Sequence, residues 1–157
     1  MSKTGISIVG AAETTELGDL PHISQIQLHA DAALNALKDA GLKPSDIDGI
    51  ATAGENPVAL VQYLGIEPHW VDGTAVGGCS FMLHIRHAMA ALSAGYCKTV
   101  LITHGESGKS RVPPPIWPWP PAPGSLEGQF EAPFGPVGPP TILTIPVMRY
   151  LETYGIS

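Results

Sequence analysis

The sequence has little charge of either sign and no long apolar run. Only 14% of its 157 residues are charged, and the formal net charge is −6. An acidic balance without any basic run argues against nucleic acid or an anionic membrane surface as the main partner. No stretch approaches the ~20 apolar residues that a membrane span needs, and MSKTGISIVG does not resemble a signal peptide. We therefore expect a soluble, cytoplasmic protein.

Cysteine is also scarce. Cys79 and Cys97 are the only two thiols, which is too few for a disulfide framework and does not match the ligand spacing of a zinc site. We expect both thiols to be reduced and no metal to be bound. The apolar fraction of 44%, in contrast, is sufficient for one compact domain with its own core.

Strand and helix patterns alternate along the chain as far as Thr103. The predicted strands are residues 6–9, about 50–51, 70–71 and 99–103, and the predicted helices are residues 24–40, 57–64 and 80–94. We expect the first strand to be central. The last of these helices is apolar nearly all round, which is typical of a helix buried inside a layered domain. This alternation predicts an α/β fold with a parallel sheet that is covered on both faces.

Proline is concentrated in one segment. Eleven of the sixteen prolines lie between Val112 and Pro140, and proline lacks the backbone donor that helices and central strands need. We therefore predict a long loop over residues 111–138, with no helix or central strand. A helix over residues 141–154, kinked or shortened by Pro146, should follow. An alternative use of the tract is a polyproline II segment that docks into an aromatic groove of another protein.

The stretch VGGCS places Cys79 at the start of the apolar helix. Free backbone N–H groups and the positive end of the helix dipole favour a thiolate at such a position. Cys79 is therefore a candidate nucleophile. The alternative is a small, partly buried residue that a serine could replace.

Several separated motifs, in order, resemble the N-terminal half of a thiolase-superfamily protein. They are KPSDIDGIATA, the glycine-rich turn with Cys79, AGYCKTVLITHGES, and RYLETYG after the long loop. The pattern is most similar to the sterol-carrier-protein-X and lipid-transfer-protein branch. Members of that branch include acyl-CoA thiolases and thiolase-like aldolases of steroid side-chain degradation. The resemblance covers essentially the whole chain.

The resemblance implies a thiolase-like half-domain over residues 1–157, with a mostly parallel mixed sheet, a buried helix, and helices on the faces. Its core would comprise residues 1–110 and 139–157, interrupted by the proline-rich loop. In thiolases two such halves pack together, and protomers dimerise. The GHP-type histidine motif and the C-terminal CxG motif of the second half are not found in this sequence. We therefore expect a second chain or segment to supply that half, in a homo- or hetero-oligomer.

The resemblance further implies an enzyme part that acts on acyl-CoA thioesters, with coenzyme A thioester as substrate and no tightly bound cofactor. The expected reaction is carbon–carbon bond formation or cleavage by acyl transfer through Cys79, and this chain alone should be inactive. The acylated cysteine of catalytic thiolases falls at Gly78, however, so Cys79 is displaced by one residue, or about 100° around a helix. Retro-aldol cleavage without that cysteine, and a non-catalytic assembly role, are the alternatives.

Histidines supply the other candidates. His104 follows a predicted strand at the carboxyl edge of the sheet, where α/β proteins bind ligands. It could hold or polarise a substrate, or simply bond to a neighbouring loop, and Glu106 and Ser107 are equally ambiguous. His84 and His87 lie three residues apart on the helix, close enough to share a metal. Without a third ligand, hydrogen bonding in the core or at an interface is the better interpretation.

Overall fold

A computed structural model describes residues 5–107, 109–110, 121–135 and 139–156. The chain forms two compact units, one ending at Pro115 and the other beginning at Ile116. Within the described residues, no helix has the length and hydropathy to cross a bilayer.

The first unit contains a parallel three-stranded sheet. Its strands are β1 (Gly49–Ala53), β2 (Trp70–Asp72) and β3 (Val100–His104), in the order β2-β1-β3. Gly49 lies opposite both Trp70 and Val100. Three helices connect and flank the strands: α1 (Gln25–Ala40), α2 (Pro57–Leu64) and α3 (Ser80–Ala94), with a 3₁₀ turn at Pro44–Asp46. The predicted α/β fold with a parallel sheet is confirmed.

Local chemistry sets the helix ends. Ser24 and Gln27 form a reciprocal capping box at the start of α1. Asn56 accepts hydrogen bonds from two backbone N–H groups at the start of α2. Gly41 and Gly95 end α1 and α3 in the left-handed conformation that glycine adopts without strain. The predicted limits of these helices are therefore confirmed to within a residue.

The core lies between the sheet and the helices α1 and α2. It consists of small and branched apolar side chains: Ala33, Leu37, Ile47, Ile50, Leu60, Ile66 and Leu101. Burial of apolar area of this kind is the main stabilising contribution to such a fold.

Helix α3 is less buried than predicted. Its buried residues are Ser80, His84, Ala88 and Ala91. Phe81, Met82 and Met89 are exposed, so the prediction of a helix buried nearly all round is wrong for the described residues. The reason is that α3 packs one face on β1 and β3, whereas its sequence is apolar on the opposite face as well.

The predicted central strand at residues 6–9 is also wrong. These residues are not part of the sheet, and Ile8 and Val9 are 77% and 61% exposed. The β-branched composition predicts a strand, but a strand needs a neighbouring backbone, and β1 is already paired on both sides by β2 and β3.

The second unit is helical. It contains α4 (Leu126–Phe130), a 3₁₀ turn at Ala132–Phe134, α5 (Pro139–Ile142) and α6 (Thr144–Tyr154). Helix α6 begins later than predicted, so that Pro146 falls in its first turn, where backbone N–H groups have no intrahelical partner. The prediction of no helix in the proline-rich loop is wrong at α4.

Helix α4 forms because a proline-free interval interrupts the tract. Residues 124–132 contain no proline, and the Ser125 hydroxyl accepts a hydrogen bond from Gly128 N, which caps α4. The part of the tract at residues 111–120, including both of its tryptophans, lies outside the described residues. The polyproline II interpretation therefore stays a prediction.

Candidate functional site

The carboxyl ends of β1 and β3 meet at one edge of the sheet. Ala53 lies opposite His104, and Gly105 N donates a hydrogen bond to Ala53 O over 3.3 Å. Gly54 has a φ of +95°, and a Cβ there would lie well inside van der Waals distance of the carbonyl oxygen of Gly105. The two strand ends therefore pass so closely that only glycine fits at position 54.

Two buried polar side chains of α1 form hydrogen bonds with the backbone at this edge of the sheet. Gln25 and His29 are each only 3% exposed, and they lie one turn apart on the same helix face. The Gln25 amide donates to Gly54 O, and its oxygen accepts from Ser107 N over 3.3 Å. Gln25 therefore joins the segment after β1 to the segment after β3.

His29 makes the second bridge. Its Nε2 lies 3.0 Å from Gly105 O, and its Nδ1 lies 2.9 Å from Thr103 Oγ1 and 3.3 Å from Thr52 Oγ1. A carbonyl oxygen can only accept, so Nε2 carries the proton, and Nδ1 accepts from a hydroxyl. Burial lowers the pKa of His29, although the bond to Gly105 acts to raise it. The imidazole is therefore neutral at neutral pH.

This lowered pKa of His29 makes stability depend on pH. As the pH falls, His29 of the unfolded chain binds a proton near the ordinary histidine pKa of about 6.5. In the folded chain, His29 binds that proton only at a lower pH. The free energy of unfolding should therefore be highest above about pH 6.5 and fall below it, by at most about 1.4 kcal/mol per pH unit. Urea denaturation at about pH 7.5 and pH 5 measures this loss. The loss should be smaller in His29→Gln, and an unchanged pH dependence in that variant would contradict the assignment.

The glycine-rich turn before α3 is fixed by α3 itself. Ser80 Oγ donates to Gly77 O over 2.6 Å and accepts from Val76 N over 2.9 Å. His84, which is fully buried, donates from Nε2 to Thr74 O over 2.9 Å. These three hydrogen bonds tie the turn to α3, and both Gly78 and Cys79 are exposed.

Cys79 occupies the N-cap position of α3. Its thiol faces the carbonyl oxygen of Val76 at 3.9 Å, and it makes no capping hydrogen bond to the helix backbone that the structure describes. A carbonyl oxygen does not stabilise a thiolate, whereas the free N–H groups of the helix would. The predicted thiolate therefore lacks its expected donor in this conformation.

The two thiols should differ strongly in reactivity. Cys79 is exposed and Cys97 is buried. Burial first, and the nearby Asp48 carboxylate second, raise the pKa of the Cys97 thiol. Iodoacetamide at neutral pH should therefore modify Cys79 well before Cys97, because Cys79 is accessible, whereas Cys97 is buried and its raised pKa disfavours the reactive thiolate there. Peptide mass spectrometry over time measures the order. Unfolding in urea should equalise the rates, and equal rates in the folded protein would contradict the placement of Cys97.

The structure places His104 near the start of α3. The ring centroids of His104 and Phe81 are 5.6 Å apart, with an interplanar angle of 35°. The end of β3 and the first turn of α3 are therefore neighbours on the same edge of the sheet. Glu106 is exposed and Ser107 is buried. Of the candidates at the carboxyl end of β3, His104 and Glu106 are thus accessible to a ligand.

The two histidines on α3 have separate partners. His84 bonds to Thr74, as described above, whereas His87 Nδ1 lies 2.6 Å from Asp72 Oδ2. Partial burial acts to raise the pKa of Asp72, but hydrogen bonds from Thr74 and His87 hold it below its ordinary value. No group of three metal-ligating side chains occurs among the described residues. The hydrogen-bonding interpretation of His84 and His87 is confirmed.

Gln25 and His29 were not predicted from the sequence. The sequence does contain a signal for them. Gln25, His29, Ala33 and Leu37 follow one another at intervals of four on one face of α1, where apolar side chains are normal. A polar pair in such a row indicates buried hydrogen bonds.

Comparisons with known proteins support the sequence resemblance. No family model matches the chain. It is 33% identical over 82 residues, half of this chain and 21% of the relative, to the 17-hydroxy-3-oxo-4-pregnene-20-carboxyl-CoA lyase of Mycobacterium tuberculosis. It is 28% identical over 113 residues, 69% of this chain and 29% of the relative, to a steroid side-chain-cleaving aldolase of Thermomonospora curvata. The matches thus span less than a third of either relative.

Two solved structures have the same fold. The Ltp2-ChsH2(DUF35) aldolase superposes with a TM-score of 0.65 at 25% identity, over 95% of this chain and 40% of that one. An SCP2-thiolase-like protein of Mycobacterium smegmatis superposes with a TM-score of 0.53 at 27% identity, over 63% of this chain and 23% of that one. The chain therefore has a thiolase-like α/β fold. Among proteins of known name, it is similar to a carboxyl-CoA lyase and to a steroid side-chain-cleaving aldolase, and the resemblance predicted from the sequence is confirmed.

Proposed function

We propose that this chain is part of a thiolase-like enzyme that cleaves a carbon–carbon bond of a coenzyme A thioester by a retro-aldol reaction. The observation that carries the proposal is the chain's similarity to one protein named a carboxyl-CoA lyase and another named a steroid side-chain-cleaving aldolase. Because the chain spans less than a third of those relatives, a further chain or segment would supply the rest of the site.

In this reaction the substrate carries a hydroxyl group on the carbon β to the thioester. A base removes the hydroxyl proton, the Cα–Cβ bond breaks, and a carbonyl forms at Cβ. The bonding electrons pass to the thioester as an enolate, which is then protonated at Cα. Donors that stabilise the enolate oxygen would lower the barrier most. We assign this role in part to His104, the accessible histidine at the carboxyl edge of the sheet.

The geometry at the glycine-rich turn favours this chemistry over acyl transfer. A glycine stands at the position of the acylated cysteine, and the neighbouring thiol of Cys79 faces the carbonyl oxygen of Val76. Acyl transfer through Cys79 remains a second candidate, because that thiol is exposed at the start of a fifteen-residue helix.

Substitution of Cys79 distinguishes the two chemistries. The assembly that contains this chain would be assayed with an acyl-CoA bearing a tertiary β-hydroxyl group, with release of the carbonyl product as the readout. We expect Cys79→Ala to retain the rate within about threefold, and His104→Ala to lose roughly 100-fold, the typical effect of removing one oxyanion donor. His22→Ala, at an exposed position, is the matched control for His104.

The opposite pattern would reject the retro-aldol proposal. If Cys79→Ala abolishes turnover, and the wild-type chain gains the mass of an acyl group with substrate, the reaction is acyl transfer. If neither substitution changes the rate, this chain contributes no catalytic side chain at the proposed edge.

A further inference from the structure

Side chains alternate between two faces along β3 and the residues that follow it. Thr103 and Ser107 are buried. His104 and Glu106, which alternate with them, are exposed. The Thr103 hydroxyl lies 2.9 Å from His29 Nδ1, so the odd-numbered side chains face α1. Successive side chains of an extended chain point to opposite faces, so His104 and Glu106 share the other face.

That other face is the one on which α3 packs. The ring of His104 lies 5.6 Å from the ring of Phe81, in the first turn of α3. Gly105 N donates to Ala53 O, so the strand pairing continues one residue past β3 and the chain is still extended there. The Cα atoms of His104 and Glu106 are therefore about 6.6 Å apart, the repeat of two residues along a strand. The imidazole and the carboxylate thus lie side by side at the carboxyl edge.

The fold does not use the Glu106 carboxylate. Among the described residues, it takes part in no hydrogen bond or ion pair. A Cβ built at Gly54 would lie 3.5 Å from Glu106 Cγ, so the stem of Glu106 lies over the end of β1. The other carboxylate at this edge is engaged, because Glu55 Oε1 accepts from Asn56 N over 2.7 Å at the start of α2. Of these two carboxylates, Glu106 is the one that is available to a ligand.

We propose that Glu106 is the general base of the retro-aldol reaction and takes the proton of the β-hydroxyl group while His104 holds the thioester oxygen. The inference rests on the proposed function. In the substrate, the two oxygens are attached to carbons that are separated by a single carbon. A donor and an acceptor at adjacent positions on one face of an extended chain can reach both oxygens at once. A positioned general base typically accelerates a reaction about 10²- to 10⁴-fold.

The proton balance closes on this one side chain. As the Cα–Cβ bond breaks, the hydroxyl proton passes to the Glu106 carboxylate, the hydroxyl oxygen becomes the oxygen of the carbonyl product, and the bonding electrons form the enolate. The carboxylic acid of Glu106 then donates its proton to Cα of the enolate. This step gives the acyl-CoA product and restores the carboxylate, so no oxidant, reductant or further reactant is consumed.

Substitution of Glu106 tests the assignment in the assembly that contains this chain, with an acyl-CoA bearing a tertiary β-hydroxyl group as substrate. Glu106→Gln keeps the size of the side chain but removes the base. We expect it to lower kcat at least about 100-fold and to change KM less than about threefold. Glu106→Asp retains a carboxylate and should keep more activity than Glu106→Gln. The urea midpoints of both variants should equal that of the wild type, because the fold does not use the carboxylate.

Deuterium exchange measures the proton transfer without carbon–carbon cleavage. Acetyl-CoA incubated with the assembly in heavy water should gain deuterium at Cα, because the last step runs in reverse when Glu106 removes a Cα proton. Glu106→Gln should slow this uptake at least about 100-fold, as it slows cleavage. Uptake that is absent in the wild type, or unchanged in a variant that has lost cleavage, would overturn the proton transfer between Glu106 and Cα.

Glu55→Gln is the matched control, and its kcat should stay within about threefold of the wild-type value. A Glu106→Gln variant with wild-type kcat would contradict the proposal, as would a loss that occurs in Glu55→Gln instead or equally in both variants. These results would leave the retro-aldol reaction itself in place, because the wild-type assembly still releases the carbonyl product. If the wild-type assembly releases none, the proposed function fails, and the assignment of Glu106 fails with it.

Discussion

Replacing Gly54 by alanine should prevent the first unit from folding, or lower its free energy of unfolding by at least about 4 kcal/mol. The residue has a φ of +95°, which alanine adopts only with strain. In addition, the new Cβ would overlap the backbone carbonyl of Gly105. That carbonyl cannot withdraw easily, because it also accepts the Nε2 hydrogen bond of His29.

Gly65→Ala is the matched control. Gly65 also has a positive φ, of +66°, but a Cβ there meets nothing within 4 Å. This variant should fold and lose only about 1 kcal/mol, the conformational cost alone. Urea denaturation followed by circular dichroism measures both losses. Equal losses in the two variants would show that the close approach of Gly54 and Gly105 does not exist.

Replacing His29 by leucine should lower the free energy of unfolding by roughly 2–5 kcal/mol. The leucine side chain fills similar space but cannot donate to Gly105 O or accept from a threonine hydroxyl, as His29 Nδ1 does from the pair Thr52 and Thr103. Both groups would be left buried with one partner fewer, and each such loss costs about 1–3 kcal/mol. Thr52 and Thr103 would retain their mutual bond, which limits the effect.

The effect of His29→Leu on the candidate site can be measured separately from its effect on the free energy of unfolding. Amide hydrogen exchange at residues 104–107 should accelerate in His29→Leu, because the loop after β3 loses one of its two attachments to α1. His22→Leu, at an exposed position just before α1, should change stability by less than about 0.5 kcal/mol. If exchange at residues 104–107 is unaffected while stability falls, His29 supports the core but does not position the edge.

Features that depend on neighbouring residues were predictable. The ends of α1 at Ser24 and Gly41, and the end of α3 at Gly95, follow from capping chemistry within a few residues. The strands β1 and β3 follow from short apolar runs between turns. The placement of Cys79 at the start of α3, and of His104 at the end of β3, follows from these limits.

Features that depend on distant residues were not predictable in the same way. Residues 6–9 have the composition of a strand, but the described residues offer them no ladder partner, so they remain outside the sheet. The exposed face of α3 has the same origin, since apolarity alone does not show which element packs on it. At α4, a local cap and a proline-free interval outweighed the composition of the surrounding tract.

By itself, the sequence determined the α/β class, the order and limits of most helices and strands, and the resemblance to thiolase-like proteins. Only the tertiary structure decided how the candidate edge is built. His29 reaches Thr103 and Gly105 across 74 and 76 residues of sequence, and Gln25 reaches Ser107 across 82. Such contacts arise when the parallel strands bring their carboxyl ends to one edge, under the first turns of α1, and no local pattern encodes which groups meet there.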